Sequence, residues 1–111
     1  AQLAVADPDR QPVTVHCQVD GELDPGAIEA WFDQVIAAHA SRLLRLQGAV
    51  SVRGEPLRIC CQAVRSFAIS HSEEPHPSAQ KSARSVVALV GYDLDADELR
   101  HEFCATRDAA R

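Results

Sequence analysis

The stretch LLRLQGAVSVRGEPLRICCQAV, Leu43 to Val64, decides the fold. Leu44, Leu46, Val50 and Val52 share one parity, and Arg45, Gln47, Ser51 and Arg53 share the other. A period of two marks a strand with one buried face. Arg53-Gly54-Glu55-Pro56 interrupts it, and Gly and Pro in so short a gap predict a turn. The alternation resumes with Leu57, Ile59, Cys61 and Ala63 against Arg58, Cys60 and Gln62. Two alternating strands around a turn make an antiparallel hairpin with a dry face and a wet face. The rest of the chain has to cover the dry face, and the wet face is left for a partner.

Toward the N-terminus, Val13, Val15, Cys17 and Val19 alternate with Thr14, His16, Gln18 and Asp20, which predicts another strand. Between it and the hairpin, Asp24-Pro25 opens a helix, since Asp is favoured at the N-cap and Pro at the first helical position. Ile28, Trp31, Phe32, Val35, Ile36 and His39 then fall on one stripe, so the helix should run to about Ser41 and cover the sheet. Full burial of the Trp31 or Phe32 ring stabilises by roughly 2–3 kcal/mol. Ala1 to Arg10, with Pro8 between two aspartates, predicts a linker or flexible terminus.

Toward the C-terminus, the hairpin's second strand is extendable through Phe67 and Ile69, with Arg65 breaking the parity. His71 to Arg84 is polar and aperiodic and predicts a surface loop. Ser85 to Gly91 is apolar on both parities, as suits a strand paired on both edges. Asp95 caps a second helix with Ala96, Leu99 and Phe103 on its apolar side. The expected fold is α+β: a two-layer sandwich of a four-stranded, mainly antiparallel sheet with two helices on one face, in the order β-α-β-β-β-α. With the Ser85–Gly91 strand numbered fourth, the expected strand order is 1-4-3-2. The domain is expected over residues 11–106, with 107–111 as a frayed tail.

At 111 residues the chain fits one core. A net charge of -5 argues against non-specific nucleic-acid binding. No apolar run approaches the ~20 residues of a membrane helix. No charged-then-apolar signal peptide opens the chain. The sequence lacks methionine even at position 1, which predicts a piece of a longer protein or a processed chain. Of the four cysteines, Cys17 and Cys61 have core parity, while adjacent Cys60 and Cys61 point to opposite faces. Reduced thiols in a cytoplasmic protein account for this better than a disulfide framework.

Three motifs in order carry a family resemblance: Leu43-Leu44-Arg45-Leu46-Gln47-Gly48, Gln62-Ala63-Val64, and Val86-Val87-Ala88-Leu89-Val90-Gly91-Tyr92-Asp93-Leu94-Asp95 with Leu99. With the layout above, they resemble the C-terminal domain of the CobW-like P-loop GTPases. That group includes metal-delivering and nickel-enzyme-maturing proteins. The resemblance covers about Val13 to Phe103. Gln47 stands where the family usually has lysine and Ala63 where it has glycine, and the family's tryptophan before the last strand is missing. The resemblance implies an accessory domain, client-binding or regulatory, of a GTP-dependent metal chaperone in metal or cobalamin cofactor metabolism. GTP and a divalent metal, zinc or cobalt, would belong to the parent protein. The implied partners are the GTPase domain of the same polypeptide and a client metalloprotein, with no nucleic acid and no membrane. The chain itself has no G-x-x-x-x-G-K-[ST] phosphate loop, a single lysine (Lys81) and no Asn to read guanine, so no catalysis is expected from it.

Candidate sites are few. His71 and His76 flank Glu73 and Glu74 and are candidate zinc ligands, against a solvated polar loop. His16 and Cys60 share wet-face parity and are candidates for half of a zinc site, two ligands short of a structural one. His39 on the apolar stripe reads as a satisfied boundary residue, and His101 as solvated. Cys104 and His101 are an i, i+3 pair, a common accident on a helix. Thr14, His16, Gln18, Arg45, Gln47, Arg53, Arg58 and Gln62 are expected on the wet face. Arg45, Gln47, Arg58 and Gln62 are the predicted partner surface. A stand-alone zinc-binding module, or a free-standing interaction or small-enzyme domain, is the alternative reading.

Overall fold

The structure, a computed structural model, describes residues 3–64, 70–74 and 84–107. Seven elements follow in order: β1 (Val13–Asp20), α1 (Pro25–His39), β2 (Leu43–Val50), β3 (Arg58–Ala63), β4 (Ser70–Glu74), β5 (Arg84–Gly91) and α2 (Ala96–Cys104). The fold is α+β, with a five-stranded sheet ordered β1-β5-β2-β3-β4 and every neighbouring pair antiparallel.

Both helices are capped as the sequence dictates. Asp24 Oδ2 accepts from the Ala27 N–H at 2.9 Å, with Pro25 inside the first turn. Asp95 Oδ1 accepts from the Glu98 N–H at 3.1 Å. Such caps satisfy amides that have no partner within the helix. α1 buries Ile28, Trp31, Phe32 and Val35, and α2 buries Leu99 and Phe103, on one side of the sheet against Val15, Cys17, Leu46, Val87 and Leu89. The Trp31 ring meets Phe32 and Phe103 edge-on, at centroid distances of 5.3 and 5.0 Å. That geometry sets ring edges against π faces and ties the two helices together.

Three expectations are corrected. The sheet has five strands rather than four, because Ser70–Glu74, at the start of the stretch expected as a loop, pairs along β3. Its polar residues suit an edge strand, so it carries no apolar signal. The expected strand order fails for the same reason. β4 occupies the outer edge of β3, so β5 pairs with β2 instead, while the expected interior place of β5 beside β1 holds. Within β2 the buried residue is Leu43 and not Leu44, because the register shifts between Leu43 and Arg45. A bulge of this kind reverses the parity on one side of it. Residues 3–10 also touch the domain. Leu3 is 3% exposed within the core, and the Ala4 N–H donates to the Leu43 carbonyl at 2.8 Å.

α1 ends at His39, two residues before the expected Ser41. Arg65, Phe67 and Ile69, the suggested extension of β3, lie outside the described residues, as does the tail after Arg107.

Candidate interaction face

Register places the polar parity of the sheet on the face opposite the helices. His16, Ala88, Gln47 and Gln62 form one row across β1, β5, β2 and β3. Gln18, Val86, Ala49 and Cys60 form the next, continued by Ser72 of β4. Except for Gln18, these residues line an open concavity of about 600 Å³. Its centre is small and apolar: Ala49, Val86 and Ala88 are half-buried by their neighbours alone. Its rim is polar, with His16, Gln47 and Gln62 exposed.

The predicted partner residues lie on this face. Gln47 and Gln62 are cross-strand neighbours. Arg45 is exposed one step along β2, and Arg58 is half-buried at the start of β3. Arg53, also expected there, lies beyond β2 in the turn. Its N–H donates to the Leu23 carbonyl at 3.0 Å and its guanidinium pairs with Asp24 at 3.2 Å. The small apolar centre is the part that residue-by-residue reading missed. Its signal was the both-parity run Ser85–Gly91, which marks a strand paired on both sides but also supplies Val86 and Ala88 to the uncovered face.

Of the metal candidates, His16 and Cys60 do not meet. His16 on β1 and Cys60 on β3 are three strand spacings apart, roughly 14 Å, and stand in different rows. Zinc ligands must lie within about 2.0–2.3 Å of one ion. The His71 backbone pairs with Cys61 in β4, and His76 lies outside the described residues. Among the described residues no three His, Cys, Asp or Glu cluster as a metal site.

The remaining titratable groups read as structure. The His39 ring Nδ1 stands 2.9 Å from the Val35 carbonyl, and His101 is exposed. All four cysteines are free thiols. Burial pushes the Cys61 thiol up to about 12 and the Cys17 thiol up to about 11, which makes both poor nucleophiles. No helix of the described residues is long and apolar enough to cross a membrane.

Two helices on one side of an antiparallel sheet, with a polar-rimmed open face on the other, define a two-layer α+β domain. Residues 13–107 match the family described as the cobalamin synthesis protein cobW C-terminal domain. The chain belongs to that family. In fold it is similar to the Zn(II)-bound YjiA GTPase from E. coli and to a Zn(II)-bound triple mutant of YjiA. Each aligns at a TM-score of 0.77 and 23% identity over 87% of this chain. The chain spans 30% of the length of those solved chains. None of the curated proteins compared with it matches.

Proposed function

We propose that the chain is the accessory C-terminal domain of a CobW-like, GTP-dependent metal chaperone serving metal or cobalamin cofactor metabolism in the cytoplasm. Its open sheet face docks the GTPase domain of the same polypeptide. GTP and the divalent metal, zinc or cobalt, are handled by that other domain. The carrying observation is the uncovered face itself: a small apolar centre at Ala49, Val86 and Ala88, inside a rim of His16, Gln47 and Gln62, with Arg45 and Arg58 farther along the same face. An apolar centre with a polar, Arg-bearing rim is the anatomy of a protein interface. The 30% share of the YjiA chain that aligns supports a larger companion within one polypeptide.

The test is calorimetric titration of this chain into a CobW-like GTPase domain supplied as a separate chain. Ala88→Arg should weaken binding at least about tenfold, as a central interface residue does, with an unchanged melting temperature. Asp97→Ala, on α2, should leave it unaltered. Equal binding by the Ala88 variant would remove the face from the proposal. Binding of a client metalloprotein through the same residues, without the GTPase domain, would make the client the occupant. GTP hydrolysis by the purified chain would refute the accessory role.

A further inference from the structure

Residues 3–10 cross one end of the sheet, from the start of β1, past the end of β5, to the start of β2. Three anchors hold them. Leu3 enters the core, and the Ala4 N–H donates to the Leu43 carbonyl at 2.8 Å, beside the bulge in β2. The Asp7 N–H donates to the Tyr92 hydroxyl at 2.6 Å, and that hydroxyl donates back to the Asp7 carbonyl at 3.3 Å. The Arg10 guanidinium lies 4.1 Å from the centre of the Tyr92 ring and pairs with Asp93 at 2.8 Å.

The Asp7 and Arg10 anchors converge on Tyr92-Asp93, the turn that leads from β5 into α2. Asp93 has φ 52, a left-handed conformation uncommon for a residue with a side chain. Arg42 donates to its carbonyl at 2.7 Å. Tyr92 is 3% exposed although it sits at the end of the sheet, and Arg10 lies over its ring. Of residues 3–10 only Leu3 is buried. The Arg10–Asp93 pair is exposed, with side-chain accessibilities of 44% and 77%. Val5, between two anchors, is 64% exposed. The sheet beneath is bonded quite differently, because β5 is paired along both edges.

We propose that residues 3–10 form a releasable strap, which opens and closes over Tyr92 as a unit separate from the sheet. Closed, it covers the phenol and fixes the turn into α2. Open, it uncovers the ring and releases Asp93 from Arg10, while β1, β5 and β2 stay paired. Contacts that are few, made by a segment with one buried side chain and confined to one end of the sheet, are the mark of a segment that opens below the global unfolding free energy.

Native-state hydrogen exchange of the whole chain tests this. The Ala4 and Asp7 amides should exchange at least about a hundredfold faster than those of Val87 and Leu89 in β5. Tyr92→Phe keeps the ring for Arg10 but removes both hydroxyl bonds. It should speed exchange at Asp7 by about tenfold and leave Val87 and Leu89 unaltered. Tyr92 is the sole tyrosine, so its nitration rate reads the same opening and should rise in Arg10→Ala. Strap amides as slow as those of β5, or Tyr92→Phe acceleration shared equally by β5, would overturn the proposal and leave the segment an ordinary part of the core.

Discussion

Gly48→Ala is the most demanding test of the strand order. Gly48 lies in β2, opposite Cys61 of β3 on one side and Val87 of β5 on the other. A Cβ added there would stand 2.2 Å from the Val86 carbonyl oxygen and 2.7 Å from Val87 Cα. Carbon and oxygen settle near 3.3 Å, so the overlap is about 1 Å. Both atoms are backbone of β5, an interior strand that β1 holds from its far edge, so no side chain can swing aside. Relief requires β2 and β5 to part locally. Two weakened ladder bonds at about 1 kcal/mol each, added to an overpacking cost of about 1–3 kcal/mol, give roughly 3–5 kcal/mol. In a domain of this size that lowers the melting temperature by roughly 10–20 °C. Gly54→Ala is the control: its φ is +89, but nothing lies within 4 Å of the added atom. It should cost only about 1 kcal/mol. Scanning calorimetry of the two variants decides. A Gly48→Ala protein no less stable than the Gly54→Ala protein would refute the close approach of β2 to β5, and with it the observed strand order.

Asp24→Ala removes the cap on the Ala27 N–H and should cost about 1 kcal/mol in urea unfolding. The half-exposed Arg53 pair lost with it adds little. Asp24→Ser, which restores a cap, should recover most of the loss; no recovery would mean that the cap is not its source. The buried thiols predict alkaline destabilisation. Cys17 and Cys61 keep their protons up to about 11 and about 12 when folded, from an ordinary 9.0, because burial disfavours the thiolate. The unfolded chain releases them above that ordinary value, so stability is fully present below it and falls as pH rises through the window to about 11 and 12. The slope is up to about 1.4 kcal/mol per pH unit for each thiol. A urea midpoint as high at about pH 10.5 as at about pH 8 would contradict the burial of both. At that lower pH, exposed Cys104 should react with a thiol reagent at once, and Cys17 and Cys61 only on unfolding.

Local chemistry made much of the fold legible. Asp24-Pro25 and Asp95 announced both helix starts, since a cap and a first-turn proline act within four residues. The alternation in β1, β2 and β3 sorted Val15, Cys17, Leu46 and Cys61 into the core and His16, Gln47 and Gln62 out of it. The both-parity run at Ser85–Gly91 announced the interior strand. Together with the motifs at Leu43–Gly48 and Val86–Asp95, these carry the resemblance to the family that the match over residues 13–107 shows.

Tertiary structure decided what local signals do not encode. β4 has no apolar alternation, and its identity as a strand rests on the backbone groups that β3 offers it. That one pairing reassigns the neighbours of β2 and β3. The bulge between Leu43 and Arg45 shifts parity by one residue, a choice made by the partner strand. His16 and Cys60 share a parity, yet strand order sets them roughly 14 Å apart. Parity tells which face a residue takes, and only pairing tells which residues meet there. The strap was hidden for the same reason. Leu3, Asp7 and Arg10 look like a loose terminus until folding brings Leu43, Tyr92 and Asp93 beside them.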